Sequence, residues 1–93
     1  MIQTFGDPDT KRLFHRRFVK RLAHLADTAL RRLVALDAAK KLSDLRIPPS
    51  NRLEALGGDR TGQYSLRIND QYRVCFRWKE GNAYDVEITK HYR

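Results

Sequence analysis

Apolar residues first recur at helical spacing and then, from about Leu53 onward, alternate with polar ones, so the chain divides into a helical half and a sheet-forming half. Phe14, Phe18, Leu22 and Leu25 follow one another at steps of four, four and three, which places them on one helical face. Asp7-Pro8 marks the start of that helix, because the carboxylate can cap free N–H groups and proline fits the first helical position. Lys11, Arg12, Arg16, Arg17, Lys20 and Arg21 surround the apolar face, which predicts an amphipathic helix packed on a sheet with a basic flank in water. A second helix is predicted from Asp27-Thr28 to about Leu42. Its buried stripe is Leu30, Leu33, Val34 and Ala38, and Lys40-Lys41 sit near its negative C-terminal end. Ile47-Pro48-Pro49-Ser50-Asn51 then stops helix formation, since each proline restricts its predecessor and removes a donor.

Beyond this loop the period is two. Leu53 and Ala55 to Leu56 open a strand, and Gly57-Gly58-Asp59-Arg60-Thr61-Gly62 reads as a glycine-rich turn. Tyr64, Leu66 and Ile68 alternate with Ser65, Arg67 and Asn69. Tyr72, Val74, Phe76 and Trp78 alternate with Arg73, Cys75, Arg77 and Lys79, and Tyr84, Val86 and Ile88 with Asp85, Glu87 and Thr89. Strands of this kind bury one face against helices and wet the other. With Ile2 to Phe5 as a further short strand, the pattern predicts a single α+β domain over residues 1–93. Two N-terminal helices would pack on a mainly antiparallel sheet of about five strands.

Charge narrows the function. Lys and Arg number 19 against 11 Asp and Glu, a formal charge of +8, which calls for an anionic partner. The longest purely apolar run, Leu33 to Leu36, is far too short to span a membrane. The opening Met-Ile-Gln-Thr-Phe-Gly-Asp lacks the basic start and apolar stretch of a secretory signal. Cys75 is the lone cysteine, and no Cys/His cluster has zinc spacing. A cytoplasmic protein without metal or cofactor is the expectation. DNA binding by the basic first helix lacks a second recognition element.

The wet face of three adjacent strands would carry Arg67, Arg73, Arg77 and Lys79 beside Asp85 and Glu87. That set reads either as a phosphate-binding surface or as a lattice of ion pairs. The chain then ends Lys90-His91-Tyr92-Arg93. Cutting RNA without a metal needs a base for the ribose 2′-hydroxyl, an acid for the leaving 5′-oxygen and a cation for the crowded phosphate. Histidine carries protons near neutral pH, tyrosine can donate its hydroxyl or stack on a base, and arginine or lysine can hold the phosphate. A polar chain end is the plainer reading of the same residues. His15 and His24, in the helical half, read as surface or packing residues.

The block Asn51-Arg52-Leu53-Glu54-Ala55-Leu56-Gly57-Gly58-Asp59-Arg60, continued by Gly62 to Asn69 and by Gln71-Tyr72-Arg73-Val74-Cys75-Phe76-Arg77-Trp78, closely resembles the HigB branch of the RelE toxin superfamily. So do the opening Met-Ile-Gln-Thr-Phe, Leu36-Asp37-Ala38-Ala39 and Asp85-Val86-Glu87-Ile88. The resemblance covers nearly the whole chain. It implies a compact RelE-like fold with a curved sheet under helices. It further implies a type II toxin that enters the ribosomal A site and cuts messenger RNA by 2′-hydroxyl attack, with no metal and no cofactor. The implied partners are a HigA-like helix-turn-helix antitoxin, the ribosome with its message, and operator DNA reached only through the antitoxin. Arg73 matches the arginine of the family's Asn/Gln-aromatic-Arg motif, which stabilises the cleaved phosphate. Arg60, Arg67, Arg77 and Lys90 are the candidate RNA-binding cations.

Two departures touch the catalytic set. The family commonly ends Asp-Tyr-His, and here the stretch is Lys90-His91-Tyr92, with the two catalytic types exchanged in order. Members with His-Pro-Leu-Lys near the second strand are matched here by Glu54-Ala55-Leu56-Gly57, where Glu54 is either a base or a surface substitution. These departures predict slow or mild cleavage. The alternative is a basic module that binds RNA and antitoxin without catalysis.

Overall fold

Asp7 starts the first helix as its sequence position predicts. Its carboxylate accepts hydrogen bonds from the Thr10 backbone N–H at 2.7 Å and from Thr10 Oγ1 at 2.9 Å, and Pro8 fills the first helical position. In the computed structural model, which describes residues 1–90, helix α1 (Pro8–Phe14) is only two turns long. The expected continuation to Leu25 does not occur. Arg16 adopts a left-handed conformation (φ 64°), the Arg16 N–H bonds the Leu13 carbonyl at 2.9 Å, and the Arg17 N–H bonds the Arg12 carbonyl at 2.9 Å. That pair of bonds closes the helix end without the glycine that usually marks it. The chain re-enters as a 3₁₀ helix over Lys20–Leu25. Leu22 and Leu25 are buried as their spacing predicts, but the reversal turns Phe18 outward (80% exposed) and sends Val19 inward.

Helix α2 (Ala26–Ala38) follows directly and ends at Ala39, whose backbone is extended. Its buried stripe is Ala29, Leu33 and Leu36, rotated from the predicted Leu30, Leu33, Val34 and Ala38, and Val34 and Ala38 are exposed. Apolar residues lie on more than one side of this helix, so the chosen face depends on tertiary anchoring. Asp37 accepts the Ile2 backbone N–H at 2.9 Å and fixes the rotation. The proline loop is tied by the buried Asn51 amide, which donates to the carbonyls of Leu45 at 3.2 Å and Ile47 at 3.3 Å.

The sheet runs in the order β1 (Glu54–Ala55), β2 (Gln63–Arg67), β3 (Tyr72–Lys79), β4 (Asn82–Lys90), antiparallel throughout. The expected N-terminal strand is reduced to two parallel bridges, Ile2 to Ala83 and Phe5 to Val86. Four strands with a bridged segment therefore replace the five predicted. The β3–β4 hairpin turns at Glu80 (φ 51°) and Gly81 (φ 80°), the pair of positive angles that a two-residue connection between twisted strands requires. Between Cys75–Glu87 and Arg77–Tyr84 the register slips, so that Phe76 alone faces Asp85 and Val86. This bulge bends the strand and shifts its alternation. Ala83, Val86 and Ile88 point into the core, and Tyr84, predicted to face inward, pairs with Arg77 and stays half-buried. Leu22, Leu33, Leu36, Leu66, Val74, Phe76 and Val86 are fully buried between helices and sheet.

One polar side chain links the layers. Thr10 Oγ1, fully buried, accepts the Ile88 backbone N–H at 2.9 Å while donating to Asp7. Thr10→Val keeps the shape and strands that strand N–H. The expected loss is about 1–3 kcal/mol, measured as a shift of the urea midpoint at unchanged m-value.

Candidate functional site

Strand pairing arranges the face of the sheet away from the helices in three rows. Arg67, Arg73 and Thr89 form the first, Glu54, Ser65, Cys75 and Glu87 the second, and Gln63, Arg77 and Tyr84 the third. Alternation alone predicts these residues to be wet. Ser65 and Cys75 are instead buried: the Arg73 side chain of the flanking row reaches Ser65, and Cys75 lies beneath Gly57, Asp59 and Arg60. A cavity of about 360 Å³ remains, lined by Leu56, Gly57, Asp59, Arg60, Arg73, Cys75, Thr89 and Lys90.

Arg73 is the cation that this architecture fixes. Its Nη1 donates to Ser65 Oγ at 2.9 Å and to Glu54 Oε1 at 3.2 Å, and its side chain is only 13% exposed. Arg60 is held across the cavity by Gln63 Oε1 at 2.9 Å and Glu87 Oε1 at 2.8 Å. Two guanidiniums, each braced by a carboxylate, thus border one depression. Burial pushes the Cys75 thiol up from its ordinary value, and the opposing pull of Arg60 does not cancel it. A protonated thiol is a neutral floor.

The predicted residues separate into two groups. Glu54, Arg60, Arg73 and Lys90 are brought to the cavity or to its rim. Arg67 and Arg77 lie on the same face outside it. Arg67 is paired with Asp70 and Arg77 with Asp85 at 3.4 Å, both partners being well exposed. The ion-pair reading of this face is therefore realised at each arginine, and the exposed pairs contribute little to stability. His91 and Tyr92 lie outside the described residues; Lys90, to which they are joined, lines the cavity. His15 packs on Phe14 and Phe5, and His24 sits edge-on to Tyr72, all away from the cavity lining. Sequence reasoning missed Ser65. Its signal was an isolated small hydroxyl between Tyr64 and Leu66, directly across from the strand that carries Arg73.

Together these features define a basic α+β protein with two carboxylate-braced guanidiniums at one depression. Comparison with known proteins gives the class a family. Residues 3–91 match the family model of the HigB-like toxins, described as RelE-like toxins of the type II toxin–antitoxin system HigB. Toxin HigB-1 of Vibrio cholerae is 45% identical over 67 residues, spanning 72% of this chain and 70% of its own. Endoribonuclease HigB of Proteus vulgaris is 31% identical over 93 residues, 99% of this chain and all (100%) of its own. Among solved structures, a YafQ mutant from E. coli superposes with a TM-score of 0.59 at 14% identity, covering 98% of this chain and 92% of that one. YoeB in its YefM complex from Staphylococcus aureus gives 0.57 at 17% identity over 99% of both chains. These two likenesses concern the fold. The chain belongs to the HigB-like toxin family.

Proposed function

We propose that this toxin is an endoribonuclease that cuts messenger RNA in the Arg73 cavity. The observation that carries the reading is the Arg73 guanidinium, nearly buried and held by Ser65 and Glu54 at the edge of an otherwise open depression. The full-length likeness to a protein named Endoribonuclease HigB supports it. In the reaction the ribose 2′-oxygen attacks phosphorus, the bond to the 5′-oxygen breaks, and a cyclic phosphate and a 5′-hydroxyl result. Arg73 stabilises the charge that builds on the phosphate oxygens. Arg60 and Lys90 hold the neighbouring backbone, and Arg67 and Arg77 extend the basic face.

Glu54, half-exposed at 3.2 Å from Arg73, supports the reading by holding that guanidinium, and in this reading it also takes the 2′-proton. His91 and Tyr92 supply the proton carriers at the chain end, and no metal or cofactor takes part. The whole of residues 1–93 acts as one toxin domain, in the cytoplasm and on translating ribosomes. Its antitoxin is a HigA-like helix-turn-helix protein, through which alone it reaches operator DNA. YoeB, which shares the fold, is known in complex with YefM. Among the described residues no helix is long and apolar enough to cross a membrane.

The test is induced expression in a bacterial host, with primer extension on a reporter message. New 5′ ends inside translated codons are expected, and their loss when the start codon is removed would tie cutting to translation. Growth arrest with an intact message would overturn the nuclease reading and leave a binding protein.

A further inference from the structure

The Arg73 cavity is the first of three depressions that share lining residues in sequence. Thr89 and Lys90, at its edge, also line a second depression that passes Tyr72 and reaches Arg21. Arg21 in turn lines a third, together with Arg12, Phe18 and Lys20. The shared residues place the three depressions in succession from Arg73, past the end of β4, to the loop that follows α1.

Three carboxylates along this path, Asp7, Asp9 and Glu87, are held by the protein's own groups, Glu87 by Arg60 at 2.8 Å. Asp7 caps α1 through Thr10, and Asp9 receives Arg12 at 2.9 Å and Arg21 at 2.6 Å, which holds its carboxyl below the usual range. Lys20 and Lys90 are exposed along the path, and Arg21 remains 46% exposed despite its partners. At the far end stands Phe18, the most exposed large hydrophobic side chain among the described residues (80%). Arg16, Arg17 and Lys20 flank it. A protein helix would need a broad apolar floor, which this charged groove does not offer. An aromatic ring at the end of a cationic track suits single-stranded nucleic acid: the cations follow the phosphates, and any base can stack on the ring.

We infer that the groove carries the RNA strand extending from the cut, with a flanking base stacked on Phe18 and the backbone following Lys90, Arg21 and Lys20. The inference rests on the endonuclease reading and adds a subsite to it. The experiment measures binding of the full chain to a fluorescent 2′-O-methyl RNA of roughly ten residues, a length typical of single-strand sites. The methyl group blocks the nucleophile, so only binding is read. Phe18→Ala is expected to weaken binding by about 5- to 100-fold, the range of one lost base stack, and Phe18→Trp to restore it.

Equal affinity of wild type and Phe18→Ala, or no binding by the wild type, would overturn the groove. Weakened antitoxin binding with unchanged RNA affinity would also overturn it and assign the surface to the protein partner. Primer extension on the wild type keeps the two readings apart. Cutting with unchanged oligonucleotide affinity in Phe18→Ala removes the groove alone. Lost affinity in Phe18→Ala, without cutting by the wild type, keeps the groove and removes the nuclease.

Discussion

Arg73→Ala lowers the rate of messenger cleavage by about 10²–10³-fold, the usual effect of deleting one preorganised donor to a developing oxyanion. Four arginines occupy this face, and the expectation singles out one of them on geometry. Arg67 and Arg77 have side chains 32% and 49% exposed, and each is paired with a carboxylate that is itself well exposed. Water screens such charges and their side chains are free to move. Arg73 is 13% exposed and held at two points, so its field acts at short range and needs no reorganisation when the phosphate charge rises. Arg73→Lys should recover only part of the lost rate, because an ammonium keeps the charge but not the planar fork. Arg67→Ala should lower the rate far less than Arg73→Ala does. The measurement is the time course of 5′-end formation on one translated message, with thermal unfolding of each variant to exclude misfolding. Cutting by Arg73→Ala at the wild-type rate would remove this residue from the chemistry.

How much of this could be read from the residues varies with the distance over which each feature is decided. The strands of the second half were legible, because alternation reports a local period, and the hairpin at Glu80-Gly81 follows from its turn residues. The cations of the site were legible by type and by family resemblance. Their division into cavity and flank was not, since it depends on how Gly57, Asp59 and Arg60 come to border Cys75. The bulge opposite Phe76 was also hidden: nothing in Tyr84-Asp85-Val86 announces an extra residue, and the slip exists only relative to the partner strand. Most instructive is the end of α1. Glycine is the residue that ordinarily signals a left-handed helix end, and here Arg16 takes that conformation. With no glycine to mark the stop, the helical spacing ran on through Phe18, Leu22 and Leu25 as if unbroken. Two of the three are buried, but in a 3₁₀ helix entered from a reversed chain.

Phe18 and Phe76 provide the strongest stability contrast, since a reading by hydrophobic pattern alone puts both rings in the core. Phe76→Ala is expected to cost about 3–5 kcal/mol, the range for a large side chain removed from a packed interior. Its ring is fully buried on β3, within 6.1 Å of the Tyr64 ring and 6.3 Å of the Trp78 ring, and it faces the bulge where the sheet bends. The neighbours cannot collapse into the space without shifting that bend, which places the cost toward the upper end. A domain of this size has roughly 5–15 kcal/mol in total, so the variant should melt some 15–30 °C lower and express poorly. Phe18→Ala, at an 80% exposed site, should change stability by no more than about 0.5 kcal/mol in either direction. Both values come from urea unfolding of the purified chains. A large loss at Phe18 would mean that the helix continues through Arg16 and that the ring packs inside, which would remove the exposed platform along with the break. A large loss at Phe76 alone is the outcome expected of a chain that reverses at Arg16 and turns Phe18 outward.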